Sequence, residues 1–194
     1  ALNKIDLSTT FMGKVLGAPL MIASMTGGVE RGLWLNQRWA EAAEFFKIPM
    51  GVGNQRLGLE NPAQAPYYQI RKHAPNAFIF ANLGIAQFCQ GWGVAEALRA
   101  VEMIKADAIF IHLNAMQEAC QDGDVDFSNL TKKIAEVCSG LSKAGIPVFA
   151  REVCFGMSTE AVKRLIDAGV SGIDCSGAGG TSWAKVEAVC SEND

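Results

Sequence analysis

The chain has 194 residues, of which 49% are hydrophobic, and a formal net charge of −3. No apolar run approaches the roughly 18 residues that cross a membrane, and no basic stretch leads into an apolar one as in a signal peptide. The charges form no basic tract, so the composition indicates neither a nucleic acid nor an anionic membrane as a partner.

The six cysteines are spread along the chain without a Cys-x-x-Cys pair. Disulfide scaffolds are shorter and denser in cysteine, and structural zinc sites need paired ligands, so the spacing fits neither class. Cys154 and Cys175 come at strand ends, where a reactive thiol is one interpretation. Small buried thiols in a cytoplasmic protein are the favoured interpretation.

Short apolar runs of strand length recur along the chain, with helical patterns between them. Each run ends in polar residues or glycine, as a buried strand does where it leaves the core. The predicted strands are Pro19–Met25, Ile48–Gly53, Ala77–Ala81, the run that begins at Ile109, Pro147–Ala150 and Gly172–Cys175.

Apolar residues at helical spacing predict a helix after each strand. The first helix is expected to bury a face that includes Trp34, Trp39 and Phe46. Asn61-Pro62 has the order of an N-cap followed by a first helical proline. Further apolar stripes fall within Ala97–Ile104, Leu130–Leu141, Val162–Ile166 and Trp183–Val189.

Capping residues bound two of the later helices. Ser128 and Ser158 are the predicted N-caps, because a serine hydroxyl can accept a hydrogen bond from a free backbone N–H of the first turn. Gly145 and Gly169 are the predicted C-terminal glycines, since glycine adopts the left-handed conformation at low cost.

Six strand–helix units in this order imply parallel strands joined by crossover helices. Their spacing is close to the roughly 31 residues per unit of a (β/α)8 barrel of typical length. An open doubly wound sheet is the alternative, but it gathers polar residues at one switch point, whereas here they follow all six strands. We therefore predict one α/β domain over residues 1–194, an incomplete TIM barrel with about six of eight units. Residues 1–17 form a lead-in segment.

The strand that begins at Ile109 ends in four different polar side chains. Alternation points His112 and Asn114 to one face, and Gln117 and Glu118 follow on the outgoing loop. A strand end that is polar because it meets water is the competing interpretation. Glu118 suits Mg²⁺ as a hard oxygen ligand. His112 suits a phosphate or acid–base chemistry, with a core histidine bonded to backbone as the alternative.

The other strand ends contribute mostly neutral hydrogen-bonding groups. Carboxamides and hydroxyls suit a flat heteroaromatic ligand such as a flavin or purine, and Arg56 suits a phosphate or carboxylate. The glycine-rich segment that begins at Ser176 could cradle an anion, although glycines also make tight turns. His73 is predicted to be a surface residue.

These motifs resemble those of the type 2, flavin-dependent isopentenyl diphosphate isomerases, in family order along almost the whole chain. Most specific are His112-Leu113-Asn114 with Gln117-Glu118, and Gly179-Gly180-Thr181-Ser182-Trp183. The other matching stretches are Ser24–Gly28, Gly51–Arg56, Ala81–Gly84, Arg151–Val153 with Gly156–Ser158, and Ser176–Ala178.

The resemblance implies a (β/α)8 barrel that binds FMN and converts isopentenyl diphosphate into dimethylallyl diphosphate, in isoprenoid biosynthesis. It implies a reduced flavin, NADPH as the reductant, and Mg²⁺ bound by Glu118. Arg56, His112 and Asn114 would hold the diphosphate. Gln117 would lie beside the hydrocarbon as the catalytic residue. A cytoplasmic homo-oligomer is expected. The flavin would be lined by Ser24, Met25, Thr26, Asn54, Asn82, Arg151, Ser176 and Thr181.

The chain departs from the family pattern in three respects. Asn54 stands where the family often has serine, and Arg151 stands where it has lysine. The family's basic N-terminal segment and its seventh and eighth strands have no counterpart here, so a chain truncated at both ends is expected. Two other hypotheses stay open: an FMN-dependent oxidoreductase of hydroxy acids or nucleotides on the same barrel, and an inactive fragment of the isomerase that folds only with a partner.

Overall fold

The computed structural model of the protein describes residues 4–121, 126–153, 155–175, 177, 179 and 181–191. Its tertiary contacts divide the chain into two compact units. Unit 1 comprises Ala1–Asn82 and Arg99–Ala108, and unit 2 comprises Leu83–Leu98 and Ile109–Asp194. Each unit contains parallel strands that alternate with helices.

The strands are β1 (Thr9–Phe11), β2 (Lys14–Leu16), β3 (Met50–Gly51), β4 (Ile79–Gly84), β5 (Ala108–Leu113), β6 (Val148–Glu152) and β7 (Gly172–Asp174). The α-helices are α1 (Glu30–Phe46), α2 (Arg56–Glu60), α3 (Ile85–Cys89), α4 (Val94–Ile104), α5 (Ala115–Glu118), α6 (Leu130–Ser142), α7 (Thr159–Asp167) and α8 (Trp183–Ser191). Two 3₁₀ helices span Pro62–Tyr68 and Arg71–His73.

In unit 1, β3 and β4 run parallel, with Met50 opposite Ile79. An antiparallel hairpin of β1 and β2 precedes them, which the weak periodicity of the first residues did not predict. The predicted strand Pro19–Met25 is wrong, because this stretch contributes only an isolated bridge from Ile22 to Met50. Leu20 and Met25 at its two ends are exposed.

Helix α1 buries small residues rather than the large ones that were predicted. Its buried positions are Gly32, Asn36, Ala40 and Ala43, whereas Trp34 and Phe46 are 57% and 60% exposed. Small side chains let this face lie close to neighbouring backbone: a β-carbon added at Gly32 would come within 3.4 Å of the Gly27 nitrogen.

In unit 2, β5, β6 and β7 run parallel and are neighbours in chain order. The register places His112 opposite Arg151, and Arg151 opposite Asp174. Successive strands that pair in chain order are typical of a barrel, whereas a doubly wound sheet reverses its order at a switch point.

The caps confirm three sequence predictions and correct one. Ser158 Oγ accepts a hydrogen bond from Ala161 N at 3.1 Å, and so caps α7. Gly145 and Gly169 follow α6 and α7 with φ of 71° and 94°. The prediction for Ser128 was wrong, because its N–H and hydroxyl bond to Asp126 instead.

Asn61 also caps a helix, as predicted, by accepting a hydrogen bond from Ala63 N at 3.1 Å. The helix that follows is 3₁₀ and contains Pro66, which has no N–H for an α-helical hydrogen bond.

The cysteines are less buried than the sequence suggested. Among the described ones, Cys138 is buried, whereas Cys175 and Cys190 are exposed, and Cys154 lies outside the described residues. No helix in the described part of the chain is long and apolar enough to cross a membrane.

Candidate functional site

Gln55 organises the strand ends of unit 1. Its side chain is fully buried. The carboxamide donates to Ala100 O at 2.9 Å and accepts from Asn82 N at 2.9 Å. Asn82 in turn donates from Nδ2 to Val52 O at 3.2 Å. Gln55 therefore joins the end of β4 to the loop after β3, a role that its place in the Asn54–Arg56 motif did not reveal.

Tyr68 supports the loop after β3 through a hydrogen bond to its backbone. Its hydroxyl donates to Asn54 O at 2.7 Å. Its ring fills the space beside Gly27, where an added β-carbon would lie 2.1 Å from Cε1. Burial raises the pKa of Tyr68 to about 12, against the opposing charge of Arg56. Tyr68 is therefore a neutral structural phenol, and the Gly27-Gly28 pair is the sequence signal for the space that it needs.

The remaining candidate site residues of unit 1 differ in burial and in whether their side chains already have hydrogen-bond partners. Ser24 Oγ is buried without a hydrogen-bond partner. Thr26 Oγ1 donates to Asn36 Oδ1 at 2.8 Å. Met25 is exposed. Arg56 is also exposed, and its Nε lies 4.0 Å from a Glu60 carboxylate oxygen. Ser24 and Arg56 are thus the groups of this set most able to serve a ligand.

In unit 2, Asn114 holds the turn that follows β5. Its Nδ2 donates to Glu118 Oε1 at 2.7 Å and lies 3.4 Å from Gln117 Oε1. Gln117 and Glu118 were predicted on a loop, but these bonds help to wind them into the single-turn helix α5. Asn114 Oδ1 is buried and has no partner.

A second helix supplies a carboxylate that the sequence did not single out. Gln117 Nε2 donates to Glu187 Oε1 of α8 at 2.8 Å. The two residues are 70 positions apart, and Glu187 stands in an ordinary helical sequence, so no local signal could have found it. The bond fixes which way the Gln117 carboxamide points.

Arg151 is a buried cation with unused donors. Its side chain is only 6% exposed, and its Nε lies 3.5 Å from Asp174 Oδ2. Its guanidinium carbon lies 5.6 Å from the centre of the Phe110 ring. Neither Nε nor Nη1 makes a hydrogen bond. Burial lowers the pKa of Arg151, while Asp174 acts in the opposite direction. Such a group is suited to an anionic or carbonyl oxygen of a ligand.

His112 lies next to Arg151 in the sheet and is half-buried. Burial lowers the pKa of His112 to about 4, and the charge of Arg151 lowers it further in the same direction. The imidazole is therefore neutral near pH 7, so that one ring nitrogen donates a hydrogen bond and the other accepts one.

The other predicted groups are less defined. Ser176 lies outside the described residues, and Thr181 is exposed. The described residues contain no cluster of three His, Cys, Asp or Glu that could hold a metal ion. His73, predicted to be on the surface, is half-buried, with Nδ1 3.2 Å from Glu41 Oε1.

No family model matches the sequence. It is 49% identical over 192 residues to the isopentenyl-diphosphate delta-isomerase of Nostoc sp., covering 98% of this chain and 54% of that protein. Proteins of the same name from Stutzerimonas stutzeri and Chlorobium limicola are 48% and 46% identical, with 97% and 96% of this chain and 54% and 52% of theirs covered.

By sequence, the chain is a homologue of the isopentenyl-diphosphate delta-isomerases. It spans about half the length of the curated relatives that it matches.

Solved structures identify the fold that this chain adopts. A protein of Pediococcus acidilactici described as a lactate oxidase matches with a TM-score of 0.60 and 19% identity, over 94% of this chain and 54% of that one. A mandelate oxidase variant with a C4a-OH-FMN adduct matches with a TM-score of 0.59 and 15% identity, over 100% of this chain and 61% of that one. The chain is therefore an incomplete α/β TIM barrel, as predicted.

Proposed function

We propose that this chain forms the flavin- and diphosphate-binding part of an FMN-dependent, type 2 isopentenyl-diphosphate delta-isomerase. The observation that carries the proposal is the identity of up to 49% with isomerases of that name over almost the whole chain. The matching oxidases argue for the fold only, because their sequences are 19% identical or less. We further propose that residues 1–194 form one domain of a cytoplasmic homo-oligomer that is reduced by NADPH.

Buried polar atoms without partners fit a flavin. Leaving such an atom unpaired costs free energy, and a bound heteroaromatic ring with several donors and acceptors would remove that cost. Ser24 Oγ in unit 1 and Arg151 Nη1 in unit 2 are atoms of this kind. Together with Met25, Thr26, Asn54, Asn82, Ser176 and Thr181, these two residues would line FMN. When bound, the reduced flavin supplies the proton chemistry that an unactivated alkene requires.

The diphosphate would be held by Arg56, His112 and Asn114. Arg56 is exposed and carries a full charge, as recognition of a phosphate group requires. His112 is neutral and contributes a hydrogen bond rather than a charge. Binding energy from the diphosphate, far from the reacting carbons, can position the small alkene.

Glu118 would bind Mg²⁺, with substrate phosphates and water as further ligands. Glu118 is the one carboxylate among the predicted site residues, and Asn114 already fixes one of its oxygens. Since the described residues contain no preformed acidic cluster, an ion bound mainly through substrate oxygens is the arrangement that Mg²⁺ commonly adopts.

Gln117 would lie beside the hydrocarbon of the substrate. The bond from Gln117 Nε2 to Glu187 restrains its side chain, so its carboxamide is presented in one orientation. Gln117 and Glu187 would therefore act together in shaping the reaction pocket next to the flavin.

The test needs the complete protein. The chain is extended with the remaining sequence of the Nostoc relative and assayed with isopentenyl diphosphate, FMN, NADPH and Mg²⁺. We expect dimethylallyl diphosphate to form only when all four are present. A folded, yellow protein that forms no dimethylallyl diphosphate, or one that oxidises a hydroxy acid instead, would contradict the proposal.

Substitution of Gln117 sharpens this test. In the extended protein, Gln117→Ala should lower kcat by about 100-fold with little change in KM, because the interaction belongs to the reacting centre. Met116→Ala, at an exposed neighbour on the same helix, should leave both constants unchanged.

A further inference from the structure

Gly84 at the end of β4 leaves space that the His112 ring occupies. A β-carbon built on Gly84 would lie 2.7 Å from His112 Nε2 and 3.0 Å from Cε1. Real β-carbons do not approach other atoms this closely, so a larger residue at position 84 must displace its neighbours, and the ring is one of the two nearest. The conformation of Gly84 is ordinary extended backbone, with φ of −83°. Glycine is needed here for space alone.

The Gln87 side chain also lies against Gly84. Its Oε1 accepts a hydrogen bond from Gly84 N at 3.1 Å and would lie 2.7 Å from the added β-carbon. The side chain of Gln87 is only 6% exposed. The carboxamide of Gln87 and the imidazole of His112 therefore flank one backbone position within unit 2.

We propose that Gly84 and Gln87 are positioning residues for His112: the bare Gly84 backbone makes room for the imidazole, and Gln87 sets its orientation. The ring is thereby kept against the chain and partly shielded from water. In that position a neutral ring nitrogen can face the diphosphate, a role that rests on the proposed function. The conformation of the ring itself does not depend on that function.

The experiment uses nitrogen-15 NMR of the histidine rings in the 194-residue chain. The chain has two histidines, so a His73→Gln variant assigns the signals. In the wild type we expect His112 to titrate near its lowered pKa of about 4. In Gly84→Ala the displaced ring gains water, and its midpoint should rise by at least about one pH unit.

Gly93→Ala is the matched control, because a β-carbon at Gly93 meets nothing within 4 Å. This variant should leave the His112 midpoint where it is in the wild type. A His112 midpoint that is the same in wild type and Gly84→Ala, or that moves equally in Gly93→Ala, would overturn the inference.

A second variant keeps the test decisive if Gly84→Ala unfolds. Gln87→Glu has the same shape and adds a negative charge, which favours the protonated imidazole. The His112 midpoint should therefore rise if residue 87 faces the ring. An unchanged midpoint in folded Gln87→Glu would overturn the role of Gln87.

Isothermal titration with inorganic diphosphate at pH 7 separates the inference from the proposed function. We expect Gly84→Ala to weaken binding about tenfold, which is 1.4 kcal/mol, and Gly93→Ala to have no effect. Wild-type chain that does not bind diphosphate would count against the proposed function, while the NMR midpoints would still decide how His112 is positioned.

Discussion

Two arginine–aspartate pairs in this protein, a half-buried one in unit 1 and one around the buried Arg151 in unit 2, differ in how completely they are hydrogen-bonded. In unit 1, Asp107 accepts from Lys14 Nζ, Arg71 Nη2 and Ile79 N at 2.7 to 2.9 Å. Arg71 also donates to the carbonyl oxygens of Ala74, Ala77 and Lys105. In unit 2, Arg151 stands 3.5 Å from Asp174 with two nitrogens that lack partners.

The completeness of hydrogen bonding distinguishes charges that stabilise the fold from charges that are available to bind a ligand. A fully paired buried charge fixes the backbone groups around it. A buried charge with unused donors costs stability unless something else binds it. Asp107 with Arg71 belongs to the first kind, and Arg151 to the second.

The largest expected effect is a loss of stability when the fully hydrogen-bonded Asp107 is removed. Asp107→Ala leaves the Ile79 N–H and the Arg71 guanidinium without their partner. The free energy of unfolding should fall by about 3 kcal/mol, which lowers Tm by roughly 6 to 12 °C. Calorimetry measures it. Asp167→Ala, at an exposed helix end, is the control, and an equal loss in both variants would remove the distinction.

The pH dependence of stability provides a second test of the role of Asp107. Burial raises the pKa of Asp107, but the bonds from Ile79, Lys14 and Arg71 outweigh burial and hold it below its usual range. The stability that Asp107 contributes is therefore present above about pH 3.9 and is lost as pH falls through the lowered pKa. In Asp107→Ala this acid-sensitive part should be absent.

Arg151→Met tests the incompletely hydrogen-bonded pair in unit 2. Removing a poorly paired buried cation should change the free energy of unfolding by less than about 1 kcal/mol. The affinity for FMN, followed by quenching of flavin fluorescence, should fall at least about tenfold. Arg164→Met, at an exposed arginine of α7 paired with Glu160, should change neither. Severe unfolding of Arg151→Met would show that Arg151 is structural as well.

Serine caps extend the comparison to neutral groups. Ser158→Ala leaves the Ala161 N–H uncapped and should cost about 1 kcal/mol. Ser128→Ala should cost less, since Ser128 caps no helix and bonds only to exposed Asp126. Urea unfolding of the two variants measures the difference, and equal costs would contradict the assigned caps.

The last prediction concerns the slope of stability against pH that His112 produces. The pKa of His112 is lowered to about 4 in the folded chain by burial and by Arg151, whereas the unfolded chain has the ordinary value near 6.5. The unfolded state therefore binds more protons between these values, and stability falls as pH drops from 6.5 to 4. His112→Asn should flatten this part of the profile in urea unfolding.

Two local predictions failed because tertiary packing decided the outcome. Periodicity located α1, but the sequence placed Trp34 and Phe46 in its buried face, and these are exposed while Gly32 and Ala40 are buried. Close packing of a helix against backbone selects small residues, and hydrophobicity alone does not reveal it. Likewise Pro19–Met25 has the composition of a strand, yet a ladder needs a partner along its length, and only Ile22 finds one.

The sequence by itself determined the alternation of strands and helices, the caps at Asn61 and Ser158, and the polar residues that follow each strand. These are local properties, set by hydrophobic period and by backbone hydrogen bonding. Only the tertiary structure decided which of those polar groups already have hydrogen-bond partners within the protein. Gln55, Glu187 and the pairing of Asp107 with Arg71 depend on contacts between residues 27 to 70 positions apart, and no local pattern encodes such a contact.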